Sequence, residues 1–328
     1  MGVTRHSHIA ARGYLKAWTE DGVLGVGWVN REGPTRLPPR AVAVRSRFYL
    51  DQDADGSAND WFETQMGRVE SKAITALRQL ETEWPIDASA RATLSEFLGL
   101  QYLRSPARRR WYVEAIQNAT DDMRRGEGPD LTEDQIREVE ATLATNRERH
   151  LSMAAKLPIA GTVFMNMHWT LLRCGSPRIA TSDHPLVPVT VGQNQPVAAI
   201  SPTGLTGIAE VRFAVSPRLL LLLTWRDEYD DEPILKMPHD LVRNHNTLVI
   251  AQAEEQWFYH PSRRAEHAKG GSWPSLVSQL PRMRGVTPFD TQRHRVVKQV
   301  GLEVSETEGP ERYGIRGIDW SSVERRAG

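Results

Sequence analysis

NDWFETQMGRVESKAITALRQLETEW, residues 59–84, is the stretch on which the reading of this chain turns. Phe62, Met66, Val69, Ala73, Leu77 and Leu80 recur at steps of three and four, which predicts one long helix with a single buried stripe. Glu63 and Glu70 are seven apart, so they stack on one line that Ile74 continues, at the border of the apolar arc rather than opposite it. The aspartates just before, in DQDADGSANDWFE (51–63), imitate a calcium loop. That ion needs a bidentate Glu at the twelfth loop position. Counted from Asp51, Phe62 stands there and Glu63 comes one residue late. One residue turns a helical side chain by roughly 100°, so Asp51, Asp53 and Asp55 are expected to form a solvated turn rather than a tight calcium site. Ser57 and Asp60 make an approximate capping box for the helix that points Glu63 inward.

The neighbouring helices repeat the pattern of polar residues on faces that should be apolar. Asp87 is placed to cap a helix reaching about Arg104, whose apolar face is Ala90, Leu94, Phe97 and Leu98. Gln101 falls where the next core residue belongs, and Arg104 lies on the same stripe. A late helix, residues 239–258, carries Val242, Val249, Ile250 and Ala253 with Asn246 near the centre of its stripe. The opening segment 6–18 keeps a seam of His8, Ala11, Leu15 and Trp18. A buried polar group without a partner costs about 1–3 kcal/mol, so residues of this kind on separate elements are expected to meet. They would form either a structural hydrogen-bond network or a functional pocket.

Two further helices are expected in 105–125 and 131–157, around a polar linker 125–130. From Met167 onward the texture changes to β-like runs bounded by turns: HWTLLRC, RIATSD, LVPVT, VRFAV and RLLLLLTW. One strand ends in Thr181-Ser182-Asp183, and His184-Pro185 then breaks the ladder, which makes Asp183 a candidate for a site at a strand end. The fold class that follows is α+β: a helix-rich core with a small, mainly antiparallel sheet. A single domain is expected over 1–260. Residues 261–328 are expected to be a polar extension with a small hairpin.

Bulk properties narrow the partners. Lys+Arg and Asp+Glu are both 41, so no global field steers the chain toward nucleic acid or an anionic membrane. Nucleic acid is therefore a disfavoured partner. The longest purely apolar run, residues 219–223, is too short to span a bilayer. One cysteine, Cys174, excludes an internal disulfide and fits a reducing, cytoplasmic setting, where it is expected to be a buried small hydrophobe. Only six of the 41 basic residues are lysine. That bias suggests a GC-rich bacterial genome and makes chance arginine clusters common. The run RSPARRRWY (104–112) is nonetheless the best phosphate candidate, with Arg104, Arg108, Arg109 and Arg110 beside Trp111 and Tyr112 to grip phosphate and stack a base. The competing reading is a solvated helix start. His6 and His8 converge on a metal only if the start of the chain is extended. No zinc spacing, P-loop or dinucleotide motif is present.

RHSHIAARGYLKAW, FYL with DWFETQMGRVESKA, FLGLQYLRSPARR, RIATSDHPLVP and LVRNHNTLVIAQAEEQWFY occur in this order. The series resembles the bacterial and fungal family known as domain of unknown function 4238 over about residues 5–260. The resemblance matches His8, Glu63, Glu70, Gln101, Arg104, Pro106, Asp183, Pro185 and Asn246 to the family pattern. The chain departs from it at Ala10 or Ala11, where the family carries proline, and at His184, where it commonly carries asparagine. The family name supplies no reaction.

From the chemistry of these residues the expected activity is a hydrolase on a small or nucleotide-like phosphate-bearing substrate. A divalent ion, magnesium or manganese, is the candidate cofactor, with His8, Glu63, Glu70 and Asp183 as candidate ligands. Glu63 or Asp183 would serve as base, Gln101 and Asn246 would orient substrate or water, and Arg104 would stabilise negative charge. The alternative is a non-enzymatic ligand-binding module, a sensor or defence component, using the same pocket.

Overall fold

The structure, a computed structural model, describes residues 6–30, 35–46, 48–49, 51–52, 58–190, 208–224 and 234–262. The amino-terminal part gives β1 (His6–His8), α1 (Arg12–Leu15), β2 (Leu24–Trp28), β3 (Thr35–Leu37), β4 (Val44–Ser46), β5 (Asp51–Gln52) and β6 (Ala58–Asn59). Five helices follow: α2 (Trp61–Gln79), α3 (Ala88–Leu103), α4 (Pro106–Arg124), α5 (Glu133–Leu143) and α6 (Asn146–Asn166). Then come β7 (His168–Arg173), β8 (Thr181–Ser182), β9 (Leu186–Thr190), β10 (Ile208–Ser216), β11 (Leu219–Thr224) and β12 (Ile234–Lys236). The described chain closes with α7 (His239–Gln252) and β13 (Gln256–Tyr259). This is the α+β architecture that the change of texture near Met167 predicts.

The leucine run explains the larger sheet. β11 is buried at every position, as a strand covered on both faces must be, and it pairs antiparallel with β10 and β7. The order is β12-β7-β11-β10-β9, and only the β12–β7 pair is parallel. A second sheet, β3-β2-β13-β8, ties the start, middle and end of the described chain together. In it the Trp257 ring lies over Gly27, where a Cβ would come within 2.0 Å of the ring. Only glycine fits there.

α3 is buried on nearly every side, from Ala90 and Leu94 through Phe97 to Leu103, so it is the central helix. α2 and α6 pack against it. The α3–α6 contact is close because Gly99 abuts Gly161: a Cβ at Gly99 would stand 3.1 Å from the Gly161 backbone nitrogen. Asp87 caps α3 as predicted, accepting from the Ala90 N–H at 2.7 Å.

Three expectations need correction. His8 heads no helical seam: it lies in β1, opposite Val44 of β4, and helix begins only at Arg12. The expected helix 131–157 is two, because the Thr145 hydroxyl accepts from the Glu148 N–H and starts α6 afresh. The late helix ends at Gln252, not 258, since QWFY is drawn into the second sheet between β2 and β8. Asp53, Asp55, Ser57 and the extension beyond residue 262 lie outside the described residues.

Candidate functional site

Glu63 and Glu70 project from α2, Gln101 and Arg104 from the end of α3, and Ser7 and His8 from β1. The helical phases bring Glu70, Gln101 and Arg104 together, with Glu63 close enough to feel the Glu70 charge. Arg104 forms an ion pair with Glu70, and its Nε and Nη2 donate to Gln101 Oε1 at 3.2 and 2.7 Å. The guanidinium is buried at 2% side-chain exposure. It is held there because an acid and an amide both accept from it. Glu63 pairs with Ser7 instead: the hydroxyl donates to Glu63 Oε2 at 2.9 Å.

Burial pushes the half-buried Glu63 carboxyl above the usual range, with Asp60 and Glu70 adding to the push and the Ser7 hydrogen bond opposing it. Burial likewise lowers His8, though a hydrogen bond with the Val42 backbone and the Glu70 charge hold it partly up. At neutral pH the imidazole is therefore uncharged. Tyr49, 2% exposed, feels Arg104, Glu70 and Glu63, and burial pushes its hydroxyl up to about 12. It stays a neutral O–H donor.

Four buried polar atoms around this cluster have no hydrogen-bond partner among the described residues: His8 Nδ1, Gln101 Nε2, Tyr49 Oη and Arg108 Nη1. Arg104 and Tyr49 also line a cleft whose other walls come from α4 and α6, with Arg108, Arg109, Trp111 and Lys156 among its residues. Ser7, Tyr49 and Lys156 were not singled out from sequence. Tyr49 sits in an apolar trio, FYL, and a lysine on an amphipathic helix raises no flag.

Asp183 and Asn246 belong elsewhere. Asp183 Oδ1 accepts from the Glu254 N–H at 3.0 Å, and Oδ2 accepts from Glu255 and Gln256 at 2.8 and 3.0 Å. It therefore organises the turn between α7 and β13. Burial pushes its carboxyl up to about 6 against the pull of those three donors. Asn246 uses both ends of its amide on extended backbone, accepting from Ala180 N–H and donating to the Arg178 carbonyl, each at 2.9 Å. His184 is buried, and burial with the nearby Arg110 charge lowers it to about 4.

Consequently the ligand set His8, Glu63, Glu70 and Asp183 is not gathered into a cage. Asp183 is engaged by backbone donors and Glu70 by Arg104. Among the described residues no group of three or more His, Cys, Asp or Glu is placed to hold a metal ion. The His6 side chain lies outside the described residues. Cys174 is buried and unpaired as expected. A second buried polar group escaped the sequence reading. Arg212 and Glu210, two apart on β10 and both fully buried, form an ion pair, and Arg212 Nη1 also donates to Asn244 at 2.7 Å.

No helix among the described residues is long and apolar enough to cross a membrane. The family model described as "Protein of unknown function (DUF4238)" matches residues 7–263. No curated protein and no solved structure matches the chain.

Proposed function

The chain belongs to the DUF4238 family, and because that description names no reaction, we propose from the site itself that it is a hydrolase-type enzyme acting on a small phosphate-bearing molecule. The observation that carries the reading is a polar cluster left half-satisfied. Networks that serve only packing saturate their donors and acceptors. Here four buried polar atoms stand without partners among the described residues around the Glu70–Arg104 pair.

The roles follow from the local electrostatics. Glu63, with its proton affinity raised by burial, is the general base, and the Ser7 hydroxyl fixes its orientation. It takes a proton from the attacking water as the new oxygen–phosphorus bond forms, and the departing oxygen takes up a proton from solvent. Neutral His8 offers Nδ1 to position that water. Arg104 and the Gln101 amide face developing negative charge. Among the described residues no group of three or more His, Cys, Asp or Glu is placed to hold a divalent ion, and no step is routed through one. Asp183 and Asn246 are structural in this reading.

The non-enzymatic alternative is favoured by one observation: the adjoining cleft is lined by cations and aromatic rings, groups that bind rather than react. The test is a panel of phosphate monoesters, diesters and nucleotides incubated with wild type and His8→Ala, scored for released phosphate and for binding. Turnover that falls at least about tenfold in His8→Ala supports the enzyme. Saturable binding without turnover overturns it in favour of the binding module. Neither binding nor turnover sinks both.

A further inference from the structure

A second, larger cleft lies at the other end of α2 from Glu63, and the hydrolase reading makes no use of it. It measures about 600 Å³, within the roughly 300–1,000 Å³ that binding pockets span. Ala17, Ile74, Leu77, Pro177, Val215 and Pro217 give it apolar walls, drawn from the segment after α1, the second half of α2, the loop after β7 and the β10–β11 turn. Leu77 and Val215 are buried, and Ile74 and Pro177 are half-buried. Lys16, Glu20, Arg78, Glu81 and Arg218 also line it and are exposed. The cleft thus has an apolar floor and a rim of mixed charge, the layout of a docking surface.

The described chain ends at this cleft. His260 and Ser262 line it, and the Ser262 N–H donates to His260 Nδ1 at 3.3 Å, a turn that fixes where the next residues set out. Residues 263–328 follow, and their first large apolar side chains are Trp273, Leu276, Val277 and Leu280. Offsets of three, four and seven from Trp273 put all four on one face of a helix. Ser272 and Pro274 are helix-start signals, and Pro281 is a stop. A short amphipathic segment that lays such a face into an apolar groove is a recurrent mode of recognition.

Tethering decides the occupant. Trp273 stands 11 residues after Ser262, and a run of that length reaches at most about 40 Å. A tether this short keeps the segment at an effective concentration on the order of millimolar. A free partner or a second copy of the chain has to exceed that to displace it.

We propose that residues 272–280 of the chain's own extension dock in this cleft, setting Trp273, Leu276, Val277 and Leu280 against Ile74, Leu77 and Val215. The docking is independent of the hydrolase reading. The test is disulfide trapping in the full chain, kept dilute, with oxidised glutathione and the buried Cys174 left in place. Ala17→Cys is paired with Leu276→Cys, and Leu151→Cys with Leu276→Cys is the control. Leu151 is exposed on α6 beside His150, which stacks on Phe62 at the start of α2, about 22 Å along that helix from Leu77. An undocked extension reaches both positions. The 17–276 bond is expected to form within one chain at least about tenfold faster than the 151–276 bond, and adding Trp273→Ser should bring it down to the control rate. Ala17 and Leu151 are exposed, so these changes leave the core intact. Equal rates for the two pairs, or a 17–276 rate indifferent to Trp273→Ser, overturn the proposal. A 17–276 bond that joins two chains also overturns it, in favour of a second copy as the occupant.

Discussion

Lys156 shows at the scale of one residue what the cleft walled by α4 and α6 costs the fold. Its ammonium is brought down to about 8 by burial and Arg108, while a lysine in an unfolded chain titrates near about 10.4. Between those values the unfolded chain holds more protons than the folded one, so stability rises with pH through that window. The penalty is fully present below about 8 and gone above about 10.4. Lys156→Met should therefore be more stable than wild type at pH 7, by up to about 3 kcal/mol. The advantage should fade as the pH approaches about 10.5. Chemical denaturation at the two pH values measures this, and equal stabilities at pH 7 would contradict it. Such residues divide sharply in legibility. Gln101 and Arg104 were visible because they occupy core phases of a helix. Ser7 and Tyr49 were not, since a serine beside a histidine and a tyrosine among apolar neighbours are ordinary in any chain.

At the scale of elements, the hinge of the fold is the turn from α7 into β13. Sequence periodicity carried the helix through to Phe258, because EEQWFY also reads as helix, and the competing ladder with β2 and β8 is invisible locally. Sequence placed Asp183 at a strand end as a candidate site residue; its partners are three backbone N–H groups that no sequence pattern names. Asn246 is the same case on the other side, pinning the 178–180 segment. Removing either acceptor leaves buried backbone groups unsatisfied at about 1–3 kcal/mol each. Asp183→Ala and Asn246→Ala should each lose about 2–4 kcal/mol of stability and leave phosphate affinity of the folded protein unchanged. Urea unfolding with calorimetry on the folded fraction reads both quantities. A stable Asp183→Ala that no longer binds phosphate would return Asp183 to the site.

Across the whole molecule, equal totals of acid and base conceal an uneven distribution. The charge balance argued against nucleic acid as a partner, yet Arg104, Arg108, Arg109, Arg149 and Lys156 all line one cleft with Phe48 and Tyr49. The α+β class and the meeting of Glu70, Gln101 and Arg104 were legible from periodicity, whereas α3 was read as having one apolar face and is buried on nearly every side. The cleft was legible only as an arginine run, because Lys156 and Tyr49 join it across more than 40 residues of chain. In the hydrolase reading the Ser7–Glu63 pair and its neighbours form a reaction centre rather than a packing network. Glu63→Gln tests it most directly, since the change keeps size, retains an acceptor for Ser7 and removes only the base. The measurement is the rate of phosphate release from the best ester of the panel, by wild type and by Glu63→Gln at equal folded concentration. Wild type is expected to release phosphate, and the variant to do so about 10²-fold or more slowly. Equal rates in the two proteins, or none above buffer in wild type, would contradict it.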